Sequence, residues 1–245
     1  MRTRELAGQR AIVTGAVGAV GGAIARGLRD RGVEVVGLDA REGAEYTVDL
    51  RDPADVQRRV DEIFDAGAVQ ILIHCAAVAL ERTLEQTSAD DWEAVFSVNA
   101  AGTFHLLRAA LPHFRELGYG RVLTVGSIAS DFGYAFPAYS ASKAAVLALV
   151  KSAAVQYAAC GVTINCLSPG RVSTPLAPQS SEAELRERVP IGRAARPEEI
   201  ADLAVALIDP SISYLTGSNI VCDGGMSNVF ALHGLGPYGR WAAEE

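Results

Sequence analysis

Arg10-Ala11-Ile12-Val13-Thr14-Gly15-Ala16-Val17-Gly18-Ala19-Val20-Gly21 reads as a short strand that runs into a glycine-bearing turn and then a helix. Between Arg10 and Thr14 every residue is apolar, the pattern of a strand covered on both faces rather than one with a wet side. Glycines then fall at 15, 18 and 21, and a helical pattern takes over from Gly21 to Arg31. Such a strand–turn–helix presents backbone amides and a helix N-terminus to an anion, the arrangement that holds the pyrophosphate of a dinucleotide. Alone, the glycines are equally those of an ordinary βα turn, and the rest of the chain must decide between the two.

Working outward, apolar β-rich runs recur at Val33–Leu38, Glu45–Val48, Val69–His74, Arg121–Gly126, Val162–Leu167 and Asn219–Cys222. Helical patterns lie between most of them, at Pro53–Ala66, Asp90–Leu117, Ser140–Ala159 and Pro197–Ile208. Strands without a polar face, alternating with helices, predict an α/β fold: a single Rossmann-type, doubly wound parallel sheet of about seven strands with helices on both faces. The connection from Leu38 to Glu45 is too short for a helix, so a reduced crossover loop is expected there. Asp39 ends the second strand, where a carboxylate can accept both ribose hydroxyls of an adenosine. A 2′-phosphate would be repelled at that place, which favours NAD over NADP, although Arg41 stands close enough to pair partly with a phosphate.

The chain has 245 residues, 49% of them hydrophobic, enough for one large core and short for two domains. Residues 1–245 are therefore expected to form one domain, with no linker, repeat or low-complexity stretch dividing it. The N-terminus runs into the first strand without an apolar leader, and the run Ile71–Leu80 is too short to cross a bilayer. A net charge of −7 argues against nucleic acid as a partner. The four cysteines (Cys75, Cys160, Cys166, Cys222) have no CxxC spacing and read as reduced thiols of a cytoplasmic protein; no metal is expected.

Tyr139-Ser140-Ala141-Ser142-Lys143 places a phenol and an ammonium four residues apart, on one face of a helix that starts at about Tyr139. A phenol on its own is a poor acid or base at neutral pH, and a nearby ammonium or helix N-terminus favours the phenolate. The plain alternative is a chance pair on an amphipathic helix. Against it, the chain has only two lysines and otherwise uses arginine, so a compact rotatable donor is wanted here rather than a planar fork.

Taken together, these residues resemble the short-chain dehydrogenase/reductase family from Gln9 to about Gly225. Thr14-Gly15-x-x-x-Ala19-x-Gly21 is similar to that family's cofactor turn, Val48-Asp49-Leu50 to its adenine-side segment, and Val98-Asn99-Ala100-Ala101-Gly102 to its Asn-bearing helix. Gly126-Ser127 stands where the catalytic serine sits, Pro169-Gly170-Arg171-Val172-Ser173-Thr174 matches the nicotinamide-side turn, and Gly217 with Asp223-Gly224-Gly225 the last strand. The resemblance implies that Tyr139 is the general acid/base and that Ser127 hydrogen-bonds the reacting oxygen. It implies that Lys143 binds the nicotinamide ribose and that Asn99 anchors a water connecting the lysine to solvent. The cofactor is expected to be NAD, held by Gly15, Val17, Gly18, Ala19, Val20, Gly21, Asp39, Asp49, Leu50, Cys75, Ala76, Ala77, Tyr139, Lys143, Pro169, Gly170, Val172 and Thr174.

Two departures stand out: Ala19 replaces the usual middle glycine, and His74-Cys75-Ala76-Ala77 replaces the usual Asn-Asn-Ala-Gly. His74 ends a buried strand and is expected to be structural rather than an extra acid or base. Ser168 reads as a turn residue, having no nucleophile elbow around it.

The expected reaction interconverts a secondary alcohol and a ketone on a small free substrate, a cyclic alcohol, a diol or a sugar-like compound. The alternatives are a 3-ketoacyl reductase acting on a carrier-bound thioester, a nucleotide-binding regulatory protein without catalysis, and a methyltransferase. Ala129, Tyr134, Phe136 and Val172 are expected in the pocket, with a lid between Leu176 and Val189. The helix Ser142–Tyr157 is small or apolar nearly all round, which predicts burial against its own sheet and against another subunit; the resemblance implies that this helix and the preceding one build the symmetric interface of a homodimer or homotetramer. The tail Met226–Glu245 carries many apolar groups and is expected to dock at a subunit interface.

Overall fold

The protein is described by a computed structural model, which covers residues 5–132, 134–175 and 181–228. Seven strands form one sheet: β1 (Arg10–Thr14), β2 (Glu34–Asp39), β3 (Tyr46–Thr47), β4 (Ile71–His74), β5 (Gly120–Val125), β6 (Val162–Pro169) and β7 (Asn219–Cys222). Their order across the sheet is β3-β2-β1-β4-β5-β6-β7 and every pairing is parallel. β2 passes to β3 by the short connection expected, with Leu38 opposite Tyr46 and Asp39 opposite Thr47.

Alternate strand residues feed two separate cores. Ile12, Val36, Leu72, Val122 and Ile164 face one side, where they meet α2 (Pro53–Asp65), α4 (Gly102–Leu117) and α5 (Pro137–Tyr157). Ala11, Val13, Val35, Ile71, Ile73, Leu123 and Leu167 face the other, against α1 (Ala19–Arg29) and α7 (Pro197–Leu207). Both faces are dry, which is why the strands read as continuous apolar runs.

Two elements differ from expectation. The single helix over Asp90–Leu117 is instead α3 (Ala89–Phe96), a π-helical turn at Ser97–Ala101, and α4. A short helix, α6 (Glu182–Arg188), lies in the segment expected to be a plain lid; it is capped by Ser181, whose hydroxyl accepts from Glu184 N. The 24-residue segment Pro137–Cys160, whose most apolar 18-residue window has a mean hydropathy of 1.2, is long and apolar enough to span a membrane by length and composition. In this fold it carries α5 against the sheet, burying Val146, Leu147, Val150 and Ala154. Residues 176–180 of the expected lid, and the expected tail beyond 228, lie outside the described residues.

Candidate active site

The strand order reverses direction between β1 and β4, so the helices that follow them leave on opposite sides and a crevice opens at the C-terminal ends of the two strands. The turn after β1 lines it. Gly15 has φ +67°, and a Cβ there would stand 2.9 Å from Ala76 N, so the position needs glycine twice over. A Cβ on Gly21 would run into Gly15 O, and one on Gly18 would stand 3.0 Å from the same oxygen. Ala19 is the first residue of α1, with Gly18 as its N-cap. This N-terminus has no side-chain cap and no acidic residue in its first turn. By contrast, α2 is capped by Asp52, α3 by Ser88 and α6 by Ser181, each with acidic residues following. The first amides of α1 are thus left for an external anion, and the glycines give its approach room. These features fit a dinucleotide pyrophosphate.

Asp39 ends β2 at the rim of the same turn. Its Oδ1 accepts from Arg41 N (3.1 Å) and Arg41 Nε (3.0 Å), its Oδ2 from Val17 N (3.1 Å) and Arg41 Nη2 (3.1 Å). Burial alone would raise its pKa; the Arg41 side-chain bonds, then the backbone donors, outweigh that and hold it below the usual carboxylate range. Asp49 is paired likewise with Arg51 at 2.7 Å, and the Leu50 side chain is buried in the core against α4.

The end of β4 is stitched to that of β1. Thr14 Oγ1 meets His74 Nδ1 at 2.7 Å and accepts from Cys75 N (3.2 Å) and Ala76 N (3.3 Å). On its far side, His74 Nε2 meets Thr103 Oγ1 at 2.9 Å, and that hydroxyl donates to Asn99 O at 2.5 Å. Burial first, and the Lys143 charge second, push His74 down to about 3, so the ring is neutral. Burial likewise pushes the Cys75 thiol up to about 12. Asn99 itself lies in the π-turn, fully buried. Its Oδ1 accepts from Val78 N (2.9 Å) while Nδ2 donates to Val78 O (2.9 Å) and Ser142 Oγ (3.0 Å). Ser142 in turn donates to Tyr139 O at 2.7 Å.

On α5, Tyr139 and Lys143 share one face as their spacing requires, with Nζ 5.8 Å from the phenol centroid. Lys143 is buried and donates to Val125 O, at the end of β5, at 2.9 Å. Ser127 follows two residues later and caps a short 3₁₀ turn, Ile128–Ser130, its Oγ accepting from Ala129 N at 3.1 Å. Gly126 is glycine because a Cβ would stand 2.5 Å from Cys166 Sγ and 2.8 Å from Ser168 Oγ. Ser168 donates to Asn219 Oδ1 (2.6 Å), which places it as the expected structural residue. After β6, Gly170 packs on Asp223, where a Cβ would come within 2.6 Å of that residue's own Cβ, and Val172 bridges to Ala195. Tyr134 and Phe136 meet edge to face at 5.0 Å.

The structure therefore gathers Asn99, Ser127, Tyr139, Lys143 and the β1, β4 and β6 turns at one end of the sheet. Sequence reading missed Val78, Thr103 and Ser142, which hold Asn99. Only the small, hydrogen-bonding character of Thr103 and Ser142 within apolar helices hinted at them.

A family model described as enoyl-(acyl carrier protein) reductase matches residues 15–227. Among curated proteins, cis-4-hydroxycyclohexanecarboxylate dehydrogenase of Sinomonas cyclohexanicum is 34% identical over 240 residues, 89% of this chain and 96% of its own. The 3-oxoacyl-[acyl-carrier-protein] reductase FabG of Vibrio harveyi is 31% identical, over 91% and 98% of the two chains. The 2-dehydro-3-deoxy-D-gluconate 5-dehydrogenase of Bacillus subtilis is 30% identical, over 90% and 95%. Among solved structures, a short-chain type dehydrogenase/reductase from Mycobacterium marinum superposes with a TM-score of 0.86 at 26% identity, over 91% and 97%.

Proposed function

The chain belongs to the short-chain dehydrogenase/reductase family, and we propose that it interconverts a secondary alcohol and a ketone on a small cyclic or polyhydroxylated substrate with NAD(H). One observation carries this reading: Tyr139 and buried Lys143 share a face of α5, and the lysine is tied to the β5 end just before Ser127. A bound nicotinamide would supply or accept the hydride. The α1 amides with the turn Gly15–Gly21 would hold its pyrophosphate and Asp39 the adenosine ribose. Asp49, Leu50 and Cys75–Ala77 would line the adenine side and the crevice floor, and Pro169, Gly170, Val172 and Thr174 the nicotinamide side.

Tyr139 gives its proton to the carbonyl oxygen in reduction and takes one from the alcohol in oxidation. Ser127 donates to the same oxygen and holds it in register. Lys143 has three N–H donors and spends one on Val125 O, which leaves two for a ribose hydroxyl and the phenol side of the site. Both Nδ2 protons of Asn99 are used by Val78 O and Ser142, so its part in a water chain is that of an acceptor, through the spare lone pair of Oδ1 or the backbone carbonyl beside the Thr103 hydroxyl.

The substrate class is supported by relatives whose names give a hydroxycyclohexanecarboxylate and a deoxygluconate, both small acids with ring or multiple hydroxyl carbons. A second reading, reduction of a carrier-bound 3-oxoacyl thioester, is favoured by the similarity to FabG. Secondary alcohols, ketones and a 3-oxoacyl carrier thioester, each offered with NAD(H) and NADP(H) and followed by nicotinamide absorbance, separate the two. Turnover of cyclic or polyhydroxylated alcohols with higher kcat/KM for NAD is expected. Turnover confined to the thioester, or a preference for NADP, sinks the corresponding part. The apolar outer surfaces of α4 and α5 support assembly as a homodimer or homotetramer.

A further inference from the structure

We propose that Arg41 competes with the adenosine ribose for Asp39, and that this one side chain sets how sharply the enzyme separates NAD from NADP. The inference rests on the cofactor reading above.

A carboxylate offers about two lone-pair sites per oxygen. On Asp39 all four are taken: one backbone N–H and one guanidinium N–H on each oxygen, from Arg41 N and Nε on Oδ1, and from Val17 N and Arg41 Nη2 on Oδ2. The side chain of Asp39 is 7% exposed, so no third approach is open. The two backbone donors belong to the turn and the β2 end and stay with the fold. The two guanidinium donors sit on a side chain 62% exposed to solvent and are free to leave.

A ribose diol also presents two donors, one to each carboxylate oxygen. The guanidinium fork imitates it, and exchange is one for one. The fork also lies close over the turn, 3.6 Å from the place a Cβ of Gly18 would take. NAD therefore binds against an ion pair that it must open. The Arg41 end of the pair is open to water and salt, which weakens it, so the handicap is about a few-fold in affinity.

A 2′-phosphate meets a different situation. It is repelled by Asp39, but the displaced fork finds phosphate oxygens in the geometry that guanidinium binds best. Arg41 thus works against NAD and for NADP at once, and its loss sharpens the preference. An ordinary cofactor contact would act with one sign on both.

The test is equilibrium titration of NADH and NADPH, read by their fluorescence, on the full wild-type chain and on Arg41→Ala and Arg41→Lys. Arg41→Ala should tighten NADH by about two- to fivefold, the range of an ion pair screened by solvent at its arginine end, and weaken NADPH. Arg41→Lys, which keeps the charge but not the fork, should fall between for both. Salt screens the pair, so raising it should favour NADH binding to wild type relative to Arg41→Ala. Weaker binding of both nucleotides by Arg41→Ala, or no change in either, overturns the competition while leaving the cofactor reading standing. Failure of the wild-type chain to bind either nucleotide overturns both. Circular dichroism of the variants, whose altered side chain is mostly in solvent, confirms that the fold is shared.

Discussion

At the scale of single residues, every proton around His74 has its place fixed by the ends of the chain it joins. The Thr103 hydroxyl is given to Asn99 O, so it receives His74 Nε2–H; Nδ1 then accepts from Thr14, whose lone pairs take the Cys75 and Ala76 amides. A second ring proton would have no acceptor and would lie buried near the Lys143 charge, which is why the ring stays neutral down to about pH 3. The unfolded chain binds that proton near 6.5, so the unfolded state holds more protons across the window from 6.5 to about 3, and stability falls as pH falls. For this group alone the loss between pH 7 and 5 should be about 2 kcal/mol. Unfolding free energies of wild type and His74→Asn from urea titration should differ by that amount in their change between the two pH values; parallel pH dependences would reject the assignment. Tyr139→Phe should keep the fold and lower turnover by ~10²–10⁴-fold, the usual cost of losing a general acid/base. Near wild-type turnover on a confirmed substrate would remove Tyr139 from the chemistry. The placement of both residues was legible in the sequence, that of Tyr139 by its spacing to Lys143 and that of His74 at the end of an apolar strand. The Arg41 fork was only half legible, since two residues of separation do not say whether the side chain turns back.

At the scale of elements, the strands were readable because burial on both faces leaves no alternative to apolar residues, and β1 and β7 fall at the expected bounds. The π-turn at Ser97–Ala101 was not. A π-turn inserts one residue into a helical pattern, and what holds this one comes from 21 and 43 residues away, from Val78 and Ser142. Widening the turn brings Asn99 to both, and the Ser142–Tyr139 bond passes its position on to α5. Asn99→Leu keeps the branched shape but strands the Val78 N–H and C=O and takes one donor from the Ser142 hydroxyl, which still donates to Tyr139 O. It should cost about 1–3 kcal/mol of stability in urea denaturation and lower kcat more than it raises KM. A variant with unchanged stability and kcat would mean the turn stands without the clamp. The α6 helix was missed because seven mostly charged residues bury no side chain and carry no periodic signal; only its Ser181–Glu184 capping pair marks it.

At the scale of the whole molecule, α5 covers one face of the sheet and still turns apolar groups outward. Val155 is 84% exposed and Phe104, on neighbouring α4, 48%. If these faces pair between copies, Val155→Arg should yield a smaller species in sedimentation velocity with an unchanged circular dichroism spectrum, and an unchanged sedimentation coefficient would clear this face of the role. The order of strands across the sheet was legible as a class but not in detail, because local pattern does not say which strand lies beside which. That order has a further consequence during synthesis. β1 is made first yet lies between β2 and β4, and its register with β4 joins Ala11 to Ile71. A growing chain therefore carries one bare edge of its oldest strand until residue 74 has emerged, a surface open to wrong pairing and to chaperones. If the turn at Pro169–Thr174 closes the proposed nucleotide seat, that seat is complete later still. Ligand in the cell can then protect finished molecules from proteolysis but cannot rescue partial ones, so quality control of this chain is a matter of completion rather than of supply.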